Sequence, residues 1–463
     1  MSFNLYLRAI FLGGLFWSNV AASATSGFGV TLSQTSYGGE AQISEQGSHY
    51  LSVTPSFVTH KRWGSADEFN QVVRFDGLAV LPMSQNVDLV AAIPEAYYQV
   101  VPKPDVFSFT IGRKKENWSE LDSYWNLGLW QPLVRWDAAA PIEQGLSGLF
   151  FELGDKKTVS ATLMVSGLFL PDQQAEFQQK DGRLISTNRW FRAPVSSVSL
   201  QEASGEIHYE VVIPDYIEIL NQNSYAAMLS LGDLKQGLFF KGSLTDKPAN
   251  QFHLGIDTER ILSLREIDFN APIHPIVVRH KLYTLESGYS WEYSRVVLSA
   301  NWEGYENPEV KDSWQQTALI DSRYSGMIFS QNLTPLGIKR TTVGLSYVRK
   351  DMNSDSEDAT IIKGDIEAST QRFAFDEMAG LQVDTNIIRT FNLKLNARFK
   401  YVYSIFDSGE WVSAGLQVAH GQSWSWSLSG DIFGVPDGTS PSTSFISKYR
   451  GNDRISGSLT YVF

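Results

Sequence analysis

The residues best equipped for chemistry lie close together. Trp118, Trp125, Trp130 and Trp136 fall within nineteen residues, among Arg113, Asp122, Arg135 and Asp137. Aromatic rings can cover the apolar face of a sugar while guanidinium and carboxylate groups bond its hydroxyls. A second stretch, Asn188-Arg189-Trp190-Phe191-Arg192, has the same character and is expected to meet the first. Arg113, Trp118, Trp125, Trp130, Arg135, Trp136, Arg189, Trp190 and Arg192 are therefore candidate ligand contacts. The plainer reading of the same tryptophans is packing: rings that pin a long connection to the body that carries it.

Other chemistries find little support. Seven histidines, His49, His60, His208, His253, His274, His280 and His420, stand outside any Gly-x-Ser-x-Gly nucleophile motif. Cysteine is absent, and no His-x-x-x-His spacing suggests a transition metal. Asp351, Asp355, Glu357 and Asp358 do not follow calcium-loop spacing and read as a solvated acidic loop. His60-Lys61-Arg62-Trp63 suits contact with lipid headgroups better than catalysis. No catalytic residue, metal or cofactor is expected. A net charge of -12 argues against a nucleic-acid partner.

The elements that would position these residues alternate with period two. Phe391, Leu393, Leu395, Ala397, Phe399, Tyr401 and Tyr403 share a face opposite Asn392, Lys394, Asn396, Arg398 and Lys400. Trp424, Trp426, Leu428 and Ile432 oppose Ser423, Ser425, Ser427, Ser429 and Asp431. Similar patterns run through 107–111, 159–169 and 412–418. The polar faces are rich in Ser, Thr, Asn and Gln, which suits a wetted lumen. Tyr289, Trp291 and Tyr293 suit a girdle at a membrane interface. Lys394, Arg398 and Lys400 would form a basic stripe inside, with Asp431 two strands away, and complete the candidate pore contacts. Facing stripes of opposite charge orient polar solutes.

Short and long connections should alternate in such a chain. Counting back from Phe463, Gly421-Gln422, Asp384–Thr390, Leu333–Arg340, Ser287-Gly288, Pro248-Ala249 and Gly154–Lys157 fall on the inner side. Val435–Arg454, Asp407–Glu410, Asp351–Ala368, Glu303–Trp314, Leu264–Pro275, Pro171–Gly205 and Glu116–Gln144 fall on the outer side. The count is about eighteen strands, with sixteen to twenty allowed. The upper figure requires both Phe28–Leu32 and Val211–Ile213. Glu377 and Arg295 fall on the lipid-facing parity, so each needs a place near an edge or a β-bulge. Neither an internal repeat nor a separate plug or soluble domain is legible.

The chain ends Ile455-Ser-Gly457-Ser-Leu459-Thr-Tyr461-Val-Phe463, an alternating strand with a terminal aromatic. This ending resembles the terminal strand of outer-membrane β-barrel proteins, with Ser458 where that family commonly has glycine. The resemblance implies that Tyr461 and Phe463 form a signal for the barrel-assembly machinery. Residues 1–24 read as a secretory signal peptide, with Arg8, an apolar run from Ala9 to Trp17, and Ala22-Ser23-Ala24 as cleavage site. Gly112–Asp137 is distantly similar to the Gly-Arg strand and loop of substrate-selective porins. The expected fold is all-β, a transmembrane antiparallel up-and-down barrel over 25–463. The implied function is a porin-like channel for small polar solutes, such as sugars or anions, in the outer membrane of a Gram-negative-type cell. A conduit or structural component for exporting surface polysaccharide or protein is one alternative, and an outer-membrane hydrolase another. Outer-membrane lipid and lipopolysaccharide are implied partners, and porin analogy adds a homo-oligomer.

Overall fold

A computed structural model describes residues 25–463 except 65–68, 84–88, 104, 201–202, 258, 263–266, 307–313, 317–320, 353–374, 391 and 437–443. The expected signal peptide, and Asp355, Glu357 and Asp358 of the acidic loop, lie outside the described residues. Eighteen strands form one sheet. They are β1 Thr25–Tyr37, β2 His49–Gly64, β3 Asn70–Pro82, β4 Val90–Lys103, β5 Phe107–Lys114 and β6 Leu146–Asp155. Next come β7 Val159–Ser166, β8 Ser224–Asp233, β9 Gln236–Pro248, β10 Arg279–Ser290, β11 Ser294–Tyr305 and β12 Ser322–Asn332. The last six are β13 Thr341–Met352, β14 Glu377–Arg389, β15 Leu393–Ser404, β16 Glu410–His420, β17 Trp424–Gly434 and β18 Arg454–Val462. Each pairs antiparallel with its chain neighbour, and β1 pairs with β18 from Gly29↔Val462 to Tyr37↔Arg454. The sheet is thus a closed up-and-down barrel, the form in which strands satisfy all their backbone groups inside hydrocarbon.

The period-two pattern sorts the faces. Leu163, Leu244, Leu298, Leu345, Trp426 and Ile455 point outward and are exposed, part of a broad apolar belt. A belt of this extent suits lipid and not water. Hydroxyl and amide residues line much of the inside. Thr31 bonds Thr460 at 2.9 Å, Ser33 bonds Ser52 at 3.0 Å, and Asn396 donates to Gln417 at 3.3 Å. Tyr289, Trp291 and Tyr293 are exposed at the end of the barrel where the turns are short.

Three expected turns fall elsewhere, one of them Asp384–Thr390, most of which lies within β14. Ser287-Gly288 lies within β10, and the turn follows at 291–293. A Cβ on Gly288 would lie 2.5 Å from the Phe239 ring of β9, so this glycine admits an aromatic neighbour and does not mark a turn. Pro248 ends β9 at the long-loop end, and the short turn before that strand is 234–235. Moving the turn to 291–293 resets the parity of β11. Arg295 therefore points into the lumen, opposite Ser290, and the expectation of a lipid-facing position fails. Glu377 keeps its outward parity but opens β14 at the long-loop end, where the Tyr347 hydroxyl donates to it at 2.6 Å. Phe28–Leu32 lies in β1, whereas Val211 ends a strand of a different sheet.

That different sheet is a feature the sequence reading lacked. Ser197–Leu200, Ala203–Val211, His253–Asp257, Glu259–Leu262, Ile267–Ile276 and Trp314–Gln316 pair into a six-stranded sheet made wholly from long connections. Its core holds Leu184, Ile256, Ala271 and Ile273.

The closing seam gives a test. The Phe463 amide donates to the Phe28 carbonyl at 2.9 Å, and its exposed ring lies 5.5 Å from Phe28 and 4.8 Å from Tyr461. Such ring pairs contribute about 0.5–1.5 kcal/mol each. Replacing Tyr461 and Phe463 with Ala should cut the amount of barrel assembled in the membrane several-fold. Denaturant stability of refolded protein should fall by only about 1–3 kcal/mol. Normal arrival in the membrane would refute the terminal-strand signal.

Candidate functional site

The connection from β5 to β6, residues 115–145, turns into the barrel. Ser119 caps the short helix α1, Glu120–Trp125, by accepting from the Asp122 amide at 3.2 Å. Asn126 then takes a left-handed conformation, φ 50°, and reverses the chain. The Asp122 carboxylate closes that reversal, accepting from the amides of Leu129 and Trp130 at 2.9 Å each. Trp118 and Trp130 are thereby stacked, with centroids 5.2 Å apart and planes within 7°.

One wall holds this segment by charge. Glu286, on the lumen face of β10, accepts from Ser119 Oγ at 3.0 Å and the Glu120 amide at 2.7 Å. It also accepts from Ser299 Oγ at 2.8 Å, and Lys241 Nζ of β9 lies 2.6 Å from its other oxygen. Lys241 donates in turn to the Asn117 carbonyl at 2.9 Å. Arg295 of β11 makes a two-pronged ion pair with Glu120. Trp130 Nε1 donates to Thr284 at 2.8 Å, and Asn250 Nδ2 donates to the Gly128 carbonyl at 2.8 Å.

The opposite wall meets the segment mainly through apolar contact. Trp125 packs edge-on against Phe375, centroids 5.4 Å apart. Gly326 and Gly380 face the arriving side chains: a Cβ on them would lie 2.6 Å from Leu121 and 3.2 Å from the Trp125 ring. Tyr324, Val348, Met378, Val402, Trp411 and Phe433 complete one buried cluster with Trp118, Leu121 and Trp130. A second inward piece, helix α3 at Phe445–Lys448, adds Phe445 and Ile446 to it. (Helix α2, Tyr216–Leu220, lies in another connection.)

The expected contacts take the following places. Trp118, Trp125 and Trp130 are almost wholly covered by protein, so in this conformation their rings pack and present no face to a solute. Trp136 packs on Leu78, Ala92 and Val134. Arg113 Nε donates to the Gly145 carbonyl at 2.9 Å, and Arg135 Nε meets Asp172 at 3.3 Å. The two aromatic stretches do meet, as Asn188 Nδ2 donates to the Trp136 carbonyl at 3.1 Å. Arg189 is buried on the carbonyls of Gly39, Glu40 and Gly451, with its guanidinium over Tyr37. Trp190 is buried against Tyr449 at 4.9 Å, and Arg192 lies over the same Tyr449 ring at 4.5 Å. Lys394, Arg398 and Lys400 line the lumen face of β15. Arg398 pairs with Asp384 at 2.6 Å, and Lys400 sits 4.3 Å over the Trp411 ring. Asp431 stands two strands away, bonded by Arg454 at 2.7 Å, and Arg454 also pairs with Asp137 of the inward segment.

Of the anchoring residues, Glu286, Lys241 and Glu120 were not singled out from sequence, Asp122 was noted only as a carboxylate among the tryptophans, and Arg295 only as a charge on the wrong face. Their signal was available in part: Lys241 and Glu286 are charges on the inward parity of otherwise alternating strands.

Burial shifts the loop groups. It pushes the Asp122 carboxyl up from its ordinary 3.8 to about 7, against the opposing pull of its two amide donors. Burial lowers Lys448 to about 8, aided by the neighbouring Arg192 charge. Glu120 is also penalised by burial, but the Arg295 pair, the Lys241 charge and the Asn117 amide together outweigh this and hold it below the usual carboxylate range.

Solved structures of similar shape include Acinetobacter baumannii OccAB4, with 10% identity over 95% of this chain and 97% of that one, TM-score 0.46. A BenF-like porin from Pseudomonas fluorescens Pf-5 has 9% identity over 95% and 98%, TM-score 0.48. Pseudomonas aeruginosa OpdL has 8% identity over 96% and 99%, TM-score 0.47. No protein-family model and no curated protein matches the chain. The barrel assignment rests on its own strand pairing.

Two outcomes are expected of the anchor. Glu286→Gln leaves Lys241 as a buried charge without its carboxylate, a loss of about 3–5 kcal/mol. Hydrogen exchange over 118–130 should accelerate strongly while the barrel stays heat-modifiable; unchanged protection would refute the anchoring role. Asp122 binds its proton more tightly folded than unfolded, so folding is favoured at low pH. Its stabilisation is lost as pH rises from about 4 to about 7. Local opening of 122–130, corrected for intrinsic exchange, should become easier across that window, and Asp122→Asn should flatten the trend.

Proposed function

We propose that this chain is a porin-like passive channel of the outer membrane that admits small polar solutes, sugars or anions among them. The inward segment inside an eighteen-stranded wall carries this reading. A barrel of sixteen to eighteen strands is too wide for wall side chains to fill and leaves an aqueous passage. Chain folded into that space narrows the passage and sets what crosses. The hydroxyl-rich wall at β16, β17, β18, β1 and β2 supplies neutral hydrogen-bonding groups, and the β15 stripe supplies positive charge beside it. Passage by diffusion needs no chemical step and no cofactor. The leader-like first 24 residues support export through the periplasm as part of this reading.

The buried cluster that joins α1 to the far wall also supports a second reading. A barrel whose lumen stays sealed would serve as a structural part or a regulated conduit for surface polymer.

Single-channel recording of refolded full-length protein in a planar bilayer separates the two. Discrete conductance steps are expected, and the reversal potential in a salt gradient gives the ion preference. Trp125→Ala removes the ring that reaches Phe375 and should raise the conductance or the open fraction several-fold. Silence from both proteins, each folded and heat-modifiable, would overturn the channel reading in favour of the sealed one.

A further inference from the structure

The outer wall carries an aromatic groove at the short-turn end. A groove of about 340 Å³ is lined by Trp63, Phe69, Gln71, Val73 and Tyr98. Strand register explains it. Trp63 pairs with Gln71 and Gln71 with Val100, while one level deeper Lys61 pairs with Val73 and Val73 with Tyr98. All of these share the outward parity, so the groove opens on the lipid-facing surface. Trp63, Phe69 and Tyr98 form exposed aromatic walls. Lys61, itself exposed, carries its ammonium 5.0 Å over the Trp63 ring, so a cation from the deeper level reaches the aromatic rim.

We propose that this groove holds one glycerophospholipid with an anionic headgroup, from the leaflet on the short-turn side. Two observations select that occupant. The groove is continuous with the apolar belt through Phe57 and Phe75, whose rings lie 5.9 Å apart, so an acyl chain can run from it along the wall. Its rim offers Lys61 as a counter-charge to phosphate, and among the described residues its lining has no carboxylate. A second groove at the same end makes the contrast. It measures about 480 Å³, and its one charged lining residue is Glu292, beside Trp291 and Tyr293. Aromatic rims of the same kind thus carry opposite charge, and only the first favours an anionic headgroup.

The inference rests on the membrane placement proposed above and not on conductance. Native mass spectrometry of refolded, heat-modifiable full-length protein tests it, with dioleoylphosphatidylglycerol or dioleoylphosphatidylcholine added to the micelles. The first phosphatidylglycerol should bind about fivefold more tightly than the first phosphatidylcholine, the effect of one cation near a surface phosphate. Lys61→Gln should abolish that preference, Trp63→Ala should weaken the first binding of both lipids, and Glu292→Gln should leave the preference in place. Equal first binding in the unsubstituted protein, or a preference that survives Lys61→Gln, would overturn the site. Failure to refold or to enter micelles would instead sink the membrane placement.

Discussion

Closure of the sheet is the constraint from which the rest follows. In hydrocarbon an unpaired backbone amide or carbonyl costs several kcal/mol, so a sheet there must have no edge. Here the last edge is removed by the ladder between β1 and β18. The ladder brings residues 29–37 beside 454–462, so the wall is complete only when both ends of the described chain are in place. Closure at eighteen strands then fixes the width of the barrel. A wall that wide encloses more space than its own side chains fill, and the chain meets that by sending long connections inward.

Filling a polar lumen with chain sets an electrostatic problem. The segment brings Glu120, Asp122 and Asp137 into a region walled by Lys241, Glu286, Arg295 and Arg454. Isolated charges there would be costly, and pairing with full hydrogen bonding is what makes them tolerable. Glu286 has the fullest set, with a lysine, two hydroxyls and two amides around one carboxylate. Asp122 differs: its donors are neutral amides, and burial dominates. The anchor is therefore held by ion pairs of the wall, while the segment's internal reversal is the part that responds to pH.

Much of the barrel was legible in sequence because period two is a direct image of the inside and outside of a strand. The Leu393–Tyr403 alternation falls in β15, and the strand count of eighteen matches the closed sheet. Errors arose where a residue type has two physical meanings. Gly288 read as a turn because glycine marks turns, but it makes room for Phe239. Arg295 read as lipid-facing because parity was carried across a turn of uncertain length. Pro248 read as an inner turn, although a proline ends a strand equally well at the other rim. The loop sheet was illegible for another reason. Its parallel pairing of Ile207 with Phe269 joins connections far apart in sequence, and local periodicity carries no sign of that.

The tryptophan stretch shows where composition stops being informative about role. Rings that bind sugars and rings that pack look alike in a sequence, and burial separates them. Trp118, Trp125 and Trp130 are covered, so the segment owes its shape to them, and any contact with a solute falls to other groups. The manner of its attachment indicates which groups. On the side of β9, β10 and β11 the segment is bound through ion pairs and directed hydrogen bonds, which break only when charges are uncovered. On the side of β12 to β16 it rests largely on apolar surface, which is non-directional and gives way without stranding a charge. Under the channel reading proposed above, a displacement of the segment would therefore pivot on the charged wall and open along the other. That opening would run beside the β15 stripe, where Lys394 stands with Arg398, paired to Asp384, and Lys400, over Trp411, so its wall is charged where the other face of the segment is apolar.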